Sequence, residues 1–510
     1  MIQEKTDASL TEQLSAWASS LRLDDVPGRV VELAKSQILS QLAAIRAGLA
    51  HPLGQALVDA FGSPLQEDAR TSACVLAGLG SWLNLDDTAY AGHLSNSTVS
   101  VPLAYAYAGG LDGGDLLTAV IAANECAARI TASATLGPLR GQSAGHTSIA
   151  GAVSGRLKCS NAPAERWVNA FGLALAMPPW TLLRAFVGSD ARVLSAFTPV
   201  RMGMDACDGA EAGLSGAPDI IEHKDGFLAR FAAVPLPEAV VMGLGQRWHT
   251  ETLSFKVRPG GPGADAAVDC AIQLHSELGG LTPDQVSEIV VAASAYTMFL
   301  GQTTRTLVAG PDASGSSLPL SVPYTVATAL LNGDLTVADF SAPAVLAEER
   351  WALARKVRLV HDEDMTRRLF ASVAPFGEAI RQAGDRALAW VREFGGLELP
   401  AGGSGSPHAE TFEQATKHFG ARVTVQLADG RSVTRQQDIP AGGAGPDTRA
   451  RHAELMRAKF LAVGGCDEVA DGCAKLERAT PHELARLLET ALARQATSKR
   501  VVSVKGGQTE

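Results

Sequence analysis

The first half of the chain carries apolar residues at intervals of three and four, the spacing of helices with one buried face. Ser9 and Glu12 match a capping box ahead of the apolar face that begins with Leu14. Asp115 likewise precedes a long apolar segment, residues 116–130. The pattern continues to about residue 250 and predicts one large helical domain.

Beyond residue 254 the pattern changes to short runs rich in β-branched residues. Residues 287–292 and 356–360 are bounded by charged or turn residues, and apolar residues alternate with polar ones over 423–427. Asp429-Gly430 then supplies turn chemistry, which predicts a β-hairpin. Helical patterns lie between these predicted strands, at residues 321–331 and 364–370. The sequence therefore predicts a smaller α+β domain.

Helical patterns return near the end of the chain, at residues 448–462 and 480–495. The predicted fold class is mainly α, with a large all-helical domain and a smaller α+β domain. The predicted boundaries are 1–253 and 443–495 for the helical domain, 254–442 for the α+β domain and 496–510 for a polar tail. A glycine- and proline-rich stretch, residues 400–407, predicts a flexible loop in the α+β domain.

Composition and charge narrow the function classes. The 510 residues include 44 Lys and Arg against 54 Asp and Glu, a net charge of −10. Such a surface repels phosphate backbones and anionic lipids, so neither nucleic acid nor membrane is expected as a partner. The first residues lack a secretory signal pattern, and no apolar run reaches the ~18 residues needed to cross a bilayer. The seven cysteines are scattered without a C-x-x-C pair, which predicts reduced thiols and a cytoplasmic protein.

Two short motifs suggest chemistry that their surroundings do not support. The segment 141–145 matches G-x-S-x-G, the nucleophile turn of serine hydrolases, but no strand is predicted before it. Asp86 and Asp87 are adjacent carboxylates in a helical region, and no further ligand completes an octahedral magnesium site. We therefore predict neither a serine hydrolase nor a metal centre.

The remaining polar motifs, in their order along the chain, resemble the MmgE/PrpD family. This family contains 2-methylcitrate dehydratase, cis-aconitate decarboxylase and iminodisuccinate epimerase. The matching residues run from about residue 10 to 465 and include Asn84-Leu85-Asp86-Asp87-Thr88, Val101-Pro102, Gly145-His146, Gly151, Arg201-Met202-Gly203, Asp225-Gly226-Phe227, Trp248-His249-Thr250, Phe255-Lys256, Ser321-Val322-Pro323-Tyr324-Thr325-Val326-Ala327 and Asp429-Gly430-Arg431.

The resemblance implies a homodimer that needs no metal or organic cofactor, with a small-molecule carboxylate as substrate. It places the active site between the helical domain and an α+β lid. The implied catalytic residues are His146, His93, Lys256 and Thr88. The implied substrate-binding residues are Asp86, Asp87, Arg192, Asn84, Tyr324 and Asp265.

The chemistry of such a family requires these residue types. Removing water or carbon dioxide from a carboxylate needs a base, an acid and cations that hold the carboxyl groups. Histidine suits the proton transfers because its pKa lies near working pH, so His146 and His93 are the acid/base candidates. Lys256 would supply positive charge and can also donate a proton, and Thr88 and Asp87 would position the substrate.

Three positions depart from the family pattern. Asn84 stands where an acid is common, and Arg192 stands where a lysine is usual. An arginine can clamp a carboxylate but cannot give up a proton at neutral pH. Asp265 lies near a common histidine position and adds negative charge, which argues against a tricarboxylate substrate. An ungapped match from Asp86 also puts Ser95, rather than His93, at the family's histidine.

The sequence therefore predicts a cofactor-independent lyase of dehydratase or decarboxylase type, acting on a carboxylate less anionic than a tricarboxylate. An isomerase or epimerase could use the same acid and base without expelling a group, and its product would keep the substrate's mass. A family member without activity, retained for binding or assembly, is the alternative from another class. Exchange of a substrate proton for deuterium would exclude that alternative.

Overall fold

The structure is a computed structural model that describes residues 8–138, 142–261, 263–398 and 408–493. Gly141 of the G-x-S-x-G motif, the glycine-rich stretch 400–407 and the predicted tail 496–510 lie outside these residues. The rest of the chain is mainly helical, with a smaller α+β domain, as the sequence predicts.

Helices form the first part of the chain, as the apolar spacing predicts. The capping box at Ser9 and Glu12 is present and begins the first helix. A short antiparallel hairpin of strands β1 (Thr88–Ala89) and β2 (Gly92–His93) interrupts the helices. The helices are α1 (Leu10–Ser20), α2 (Gly28–Ala50), α3 (Pro52–Phe61), α4 (Ala69–Ser81), α5 (Ser95–Thr98), α6 (Ser100–Gly109), α7 (Gly113–Ser133), α8 (Gln142–Cys159), α9 (Ala164–Ala174), α10 (Leu183–Gly188), α11 (Ala191–Glu211) and α12 (Phe227–Phe231).

The central part of the chain mixes helices with strands. Its elements are α13 (Asp265–Leu278), β3 (Val286–Ala293), α14 (Ala295–Arg305), α15 (Val322–Asn332), α16 (Glu348–Ala354), β4 (Val357–His361), α17 (Glu363–Ala371), α18 (Glu378–Ala383), α19 (Leu388–Gly395), β5 (Ala421–Leu427) and β6 (Ser432–Gln437). The predicted strands and the hairpin at Asp429-Gly430 are therefore confirmed within one or two residues. We refer to the elements α13 to β6 as the α+β domain.

The α+β domain is built on a four-stranded sheet with the order β4-β3-β5-β6. Strand β3 pairs in parallel with β4 and antiparallel with β5, and β5 pairs antiparallel with β6. Helix α13 packs against β5, β6 and α15. Asp265 is the first residue of α13, so it lies where the chain enters the α+β domain.

The last helices, α20 (Pro446–Ala462), α21 (Asp467–Ala474) and α22 (Pro481–Leu492), pack against α2 near the start of the chain. The contacts include a hydrogen bond between Ser36 Oγ and His452 Nδ1 at 2.7 Å. We refer to α1–α12 and α20–α22 together as the helical body. Its core contains α7, α8 and α11, and none of the described helices is long and apolar enough to cross a bilayer.

The chain passes between the helical body and the α+β domain twice, and the two crossings lie side by side. Phe255 N donates to Gly442 O at 2.8 Å, and Ala444 N donates to Ser254 Oγ at 3.2 Å. Gly442 has a φ of 80°, and a Cβ there would collide with the carbonyl of Phe255, so this close approach requires glycine. The first crossing also pairs with Thr88 through two backbone hydrogen bonds to Ser254, of 3.0 and 2.9 Å.

Candidate active site

The loop 84–88 follows α4 and leads into the β1–β2 hairpin beside these crossings. Asn84 has a φ of 55°, a left-handed conformation that asparagine tolerates better than most residues. Its Nδ2 donates to Gly260 O at 2.8 Å, which ties the loop to the segment that enters the α+β domain. The asparagine that replaces the family's acid is thus a buried hydrogen-bonding residue.

Asp86 is fully buried in this loop. One of its carboxylate oxygens, Oδ2, accepts from Asn96 Nδ2 and from His93 Nδ1, both at 2.9 Å. Because Nδ1 of His93 faces a carboxylate, Nδ1 carries a proton and Nε2 is the atom left to exchange protons with a substrate. Asp86 therefore orients His93.

Asp87 is also fully buried and binds different partners. It accepts from Ser40 Oγ at 2.7 Å, from Ser95 Oγ at 3.2 Å and from the backbone N–H of Lys256 at 3.1 Å. Burial raises the pKa of Asp87 to about 6, although the charge of Lys459 opposes this shift. Both Ser95 and His93 thus contact the aspartate pair, the serine through Asp87 and the histidine through Asp86.

Lys459, on α20, is the cation closest to Asp87, at 4.0 Å. Its Nζ donates to Ser40 Oγ and to Leu85 O, both at 2.7 Å. Burial lowers the pKa of Lys459 to about 8. The C-terminal helices therefore contribute a charged group that holds the aspartate loop.

Lys256 lies on the first crossing and is almost completely buried. Its Nζ donates to Gly260 O at 2.9 Å and forms an ion pair with the Asp265 carboxylate at the start of α13. The carbonyl of Gly260 accepts from both Lys256 and Asn84, so this ammonium group is connected to the loop 84–88. Asp265 neutralises Lys256 in this arrangement.

Lys417 approaches the same place from the segment that precedes β5. Its Nζ donates to Thr88 Oγ1 at 3.2 Å, and it lines one small cavity together with Thr88, Lys256 and Asp265. Burial, and then the charge of Lys256, lower the pKa of Lys417 to about 8. This cavity brings together residues of the helical body and of the α+β domain.

Arg192, on α11, borders a second small cavity that His93 also lines. Its guanidinium donates to Trp82 O at 3.1 Å and to Asn84 Oδ1, and it lies 4.2 Å from the Phe186 ring centroid. Burial lowers the pKa of Arg192 to about 10, while the charge of Asp86 acts in the opposite direction. Arg192 therefore remains a cation at neutral pH.

Tyr90 anchors the β1–β2 hairpin that carries Thr88 and His93. It has a φ of 54°, and its hydroxyl lies 2.8 Å from His249 Nδ1. Burial raises the pKa of Tyr90 and lowers the pKa of His249 far below its usual value. The tyrosine hydroxyl is therefore the donor and the neutral imidazole is the acceptor.

Two of the predicted site residues, His146 and Tyr324, have described contacts with residues outside the loop 84–88. His146 is buried on α8, with its ring 5.0 Å from Phe227 and 5.9 Å from Phe231. Tyr324 donates to the carbonyl of Asp339 and packs against Trp351 at 5.0 Å. It borders a separate cavity of about 610 Å³ inside the α+β domain. The involvement of both residues in the site stays a prediction.

The structure brings the other predicted residues together at the junction of the two domains. They are Asn84, Asp86, Asp87, Thr88, His93, Arg192, Lys256 and Asp265. Sequence reasoning missed Lys417, Lys459 and Tyr90. Lys417 precedes a predicted strand, and Lys459 lies in a predominantly polar helix, so neither position carries a local pattern that signals burial.

The site is closed. The cavity at Lys417 and the cavity at Arg192 are each about 10 Å³, room for no more than about one water molecule. No group of three or more His, Cys, Asp or Glu side chains among the described residues is placed to hold a metal ion. A set of buried cations with an oriented histidine can bind a carboxylate and transfer protons next to it.

Two models of one protein family together match most of the chain. The MmgE/PrpD N-terminal domain model matches residues 12–238, and the MmgE/PrpD C-terminal domain model matches residues 260–394. Two cis-aconitate decarboxylase sequences from Aspergillus terreus, one from strain NIH 2624 / FGSC A1156, are each 24% identical to this chain over 400 residues. The alignments cover 70% of this chain and 79% of each relative. The chain belongs to the MmgE/PrpD family.

Proposed function

We propose that this protein is a cofactor-independent lyase that removes water or carbon dioxide from a small carboxylate by acid/base catalysis. One observation carries the proposal. Buried cations from both domains, Lys256, Lys417 and Arg192, surround a loop whose aspartate orients a histidine. A protein rarely buries so much charge in one place unless the charge binds a ligand or takes part in chemistry.

The arrangement can support either elimination. In a dehydration, His93 Nε2 or His146 takes the proton beside a substrate carboxylate, and an acid gives a proton to the departing hydroxyl group. In a decarboxylation, the electrons of the broken carbon–carbon bond remain on carbon, and an acid then protonates that carbon. Lys256 stabilises the negative charge that develops in both cases.

The relatives favour a substrate with carboxyl groups. The Aspergillus terreus relatives are cis-aconitate decarboxylases, which are lyases that act on a carboxylate. The local charges favour a substrate with fewer carboxyl groups than a tricarboxylate, because Asp265 lines the cavity beside Lys256 and Lys417. A third carboxylate would meet Asp265 and be repelled.

Mass spectrometry after incubation with mono-, di- and tricarboxylates in D₂O tests the proposal. A lyase releases a product lighter by water or carbon dioxide. A product of unchanged mass that has gained deuterium would identify an isomerase instead. If no compound reacts and none exchanges a proton, the proposed catalytic function is wrong.

Lys256→Met provides the residue-level test. We expect turnover to fall by about 10²-fold or more, because the charge that stabilises the reacting carbon is lost. The melting temperature should change little, since the side chain of Asp265 is 24% exposed and water can solvate it once Lys256 is gone. Lys224→Met, at an exposed lysine, is the matched control and should retain wild-type turnover. Full activity of Lys256→Met would remove Lys256 from the site.

A further inference from the structure

Four cations surround the loop 84–88, and they differ in what neutralises them. Lys256 is paired with Asp265, and Lys459 lies beside Asp87. Arg192 and Lys417 have only neutral hydrogen-bond acceptors among the described residues: a backbone carbonyl and an amide for Arg192, and the hydroxyl of Thr88 for Lys417. Neither of these two cations forms an ion pair with a carboxylate of the described residues, although the charge of Asp86 acts on Arg192 and that of Asp265 on Lys417.

Of these two cations, Lys417 is the one whose burial is harder to explain. The residue is 5% exposed, and its ammonium group lies 5.8 Å from the Phe419 ring centroid. Burying an ammonium group with one neutral acceptor costs free energy, because the group loses its hydration and gains no direct ion pair; the charge of Asp265 offsets only part of this cost. Protein stability therefore does not account for a lysine at this position.

The position of Lys417 at the domain junction suits a residue that binds a ligand. Its backbone N–H donates to Ala444 O at 2.8 Å, so the residue is fixed to the second crossing. Its side chain reaches Thr88 of the helical body across the domain junction. The cavity has room for about one water molecule, so the junction must open before a carboxylate enters. The carboxylate would then meet Lys417 from the α+β domain and the hydroxyl of Thr88 from the helical body, with Lys256 and Asp265 beside them.

Arg192 provides a second group that could bind an anionic ligand. Its Nη1 is buried without a hydrogen-bond partner among the described residues, and Arg192 lines a cavity with Ser148 and Ser195. An N–H group left without an acceptor is costly when buried, and a carboxylate oxygen would satisfy it. Two cations without a described ion-pair partner therefore match a ligand with two carboxylates.

We propose that Lys417 is a substrate-binding residue that holds one carboxylate of a dicarboxylate, with Arg192 holding the other. This inference rests on the proposed function, since it names the substrate class of the same site. It adds a residue that the family resemblance does not supply. Lys256 is not assigned to either carboxylate, because its ammonium group is already paired with Asp265. Its proposed role remains at the reacting carbon.

Binding of acetate, succinate and tricarballylate to the whole protein tests the inference by calorimetry at pH 7. We expect succinate to bind most tightly of the three. Lys417→Met should weaken succinate binding by at least about tenfold, the loss expected for one charge-assisted contact. Lys224→Met should bind succinate as the wild type does. Wild-type binding in Lys417→Met, or failure of the wild type to bind succinate, overturns the inference.

The pH dependence of binding separates a direct contact from an indirect effect. Lys417 loses its charge as the pH rises through about 8, so wild-type affinity for succinate should fall above that pH, by up to about tenfold per pH unit. Lys256, Asp265 and Lys459 stay in place in Lys417→Met, so this variant shows whether they cause the fall. Its affinity should vary less with pH than that of the wild type. An equally steep fall in Lys417→Met would contradict the proposal.

Lys417→Arg completes the series. Arginine keeps its charge at high pH, so this variant should regain succinate binding and retain it at pH 9 and above. These measurements do not need turnover, which separates the two proposals. Succinate binding that depends on Lys417 without any lyase activity would leave the inference standing and remove the proposed function. Lyase activity with unchanged binding in Lys417→Met would do the reverse.

Discussion

Lys417 and Lys459 are both buried lysines whose pKa is lowered to about 8, but their partners give them different effects on stability. Lys459 compensates the buried charge of Asp87 and donates two hydrogen bonds, to the hydroxyl of Ser40 and the carbonyl of Leu85. Lys417 forms no ion pair with a described carboxylate, and the charge of Asp265, which acts on it, is already paired with Lys256. We therefore expect the same residue type to stabilise the fold at one position and to cost stability at the other.

We expect Lys459→Met to lower the free energy of unfolding by about 3–5 kcal/mol, because it leaves Asp87 buried without its cation. Lys417→Met should leave the free energy of unfolding unchanged or raise it at pH 7, since it removes a buried charge that has no direct ion pair among the described residues. Chemical denaturation of both variants checks this contrast. A large loss of stability in Lys417→Met would mean that Lys417 belongs to the folded core.

The difference between the wild type and Lys417→Met should depend on pH. Between about pH 8 and 10.5, the usual pKa of lysine, the folded wild type has released the Lys417 proton while the unfolded chain still holds it. The unfolded state then binds more protons, so the free energy of unfolding of the wild type rises relative to the variant, by up to about 1.4 kcal/mol per pH unit. Denaturation at pH 7, 8, 9 and 10 measures this slope. A constant difference would show that Lys417 titrates normally.

At the scale of elements, the β1–β2 hairpin sets the positions of Thr88 and His93. Each strand has only two residues, too few to hold a hairpin in water without packing. The left-handed Tyr90 and its hydrogen bond to His249 supply the missing constraint. Gly92 also allows close packing, because a Cβ there would lie 2.7 Å from Thr147 Oγ1.

Tyr90→Phe tests the anchoring of the hairpin. The variant keeps the ring but leaves His249 Nδ1 buried without its donor, so we expect the free energy of unfolding to fall by about 1–3 kcal/mol. Turnover should fall as well, because Thr88 and His93 lose their fixed position. Tyr107→Phe is the matched control: its hydroxyl bonds Glu489 at the surface, and its removal should cost less than about 0.5 kcal/mol. Equal effects of the two substitutions would contradict the anchoring role.

The elements differ in how far local sequence predicts them. Ser9 with Glu12, the strands β3 to β6 and the turn at Asp429-Gly430 follow local rules of capping, alternation and turn chemistry, and the structure confirms them. The β1–β2 hairpin escapes prediction because its strands are too short to show alternation. Lys417 and Lys459 escape because their burial depends on segments more than 300 residues away along the chain, at Thr88 and Ser40.

At the scale of the whole molecule, the net charge of −10 repels anions, so a carboxylate substrate depends on local cations for its binding. Among the described residues of the junction, Arg192 and Lys417 are two cations that form no ion pair. We expect citrate, 2-methylcitrate and cis-aconitate to react with kcat/KM well below ~10⁴ M⁻¹s⁻¹, the lower end of ordinary enzymes. Steady-state kinetics against the best dicarboxylate measures the preference. Efficient turnover of any of these tricarboxylates would refute the charge argument.

The side-by-side crossings of the chain also have an evolutionary consequence. Because Ser254 and Ala444 are hydrogen-bonded neighbours, the α+β domain is an insertion whose two ends meet. Recombination could exchange such an insertion as a single genetic unit without separating the ends that it leaves behind. The helical body would keep Asp86, Asp87 and Arg192, while a new insertion would bring different residues in place of Asp265 and Lys417. Ligand preference could thus diversify within one half of the junction while the loop 84–88 was inherited unchanged.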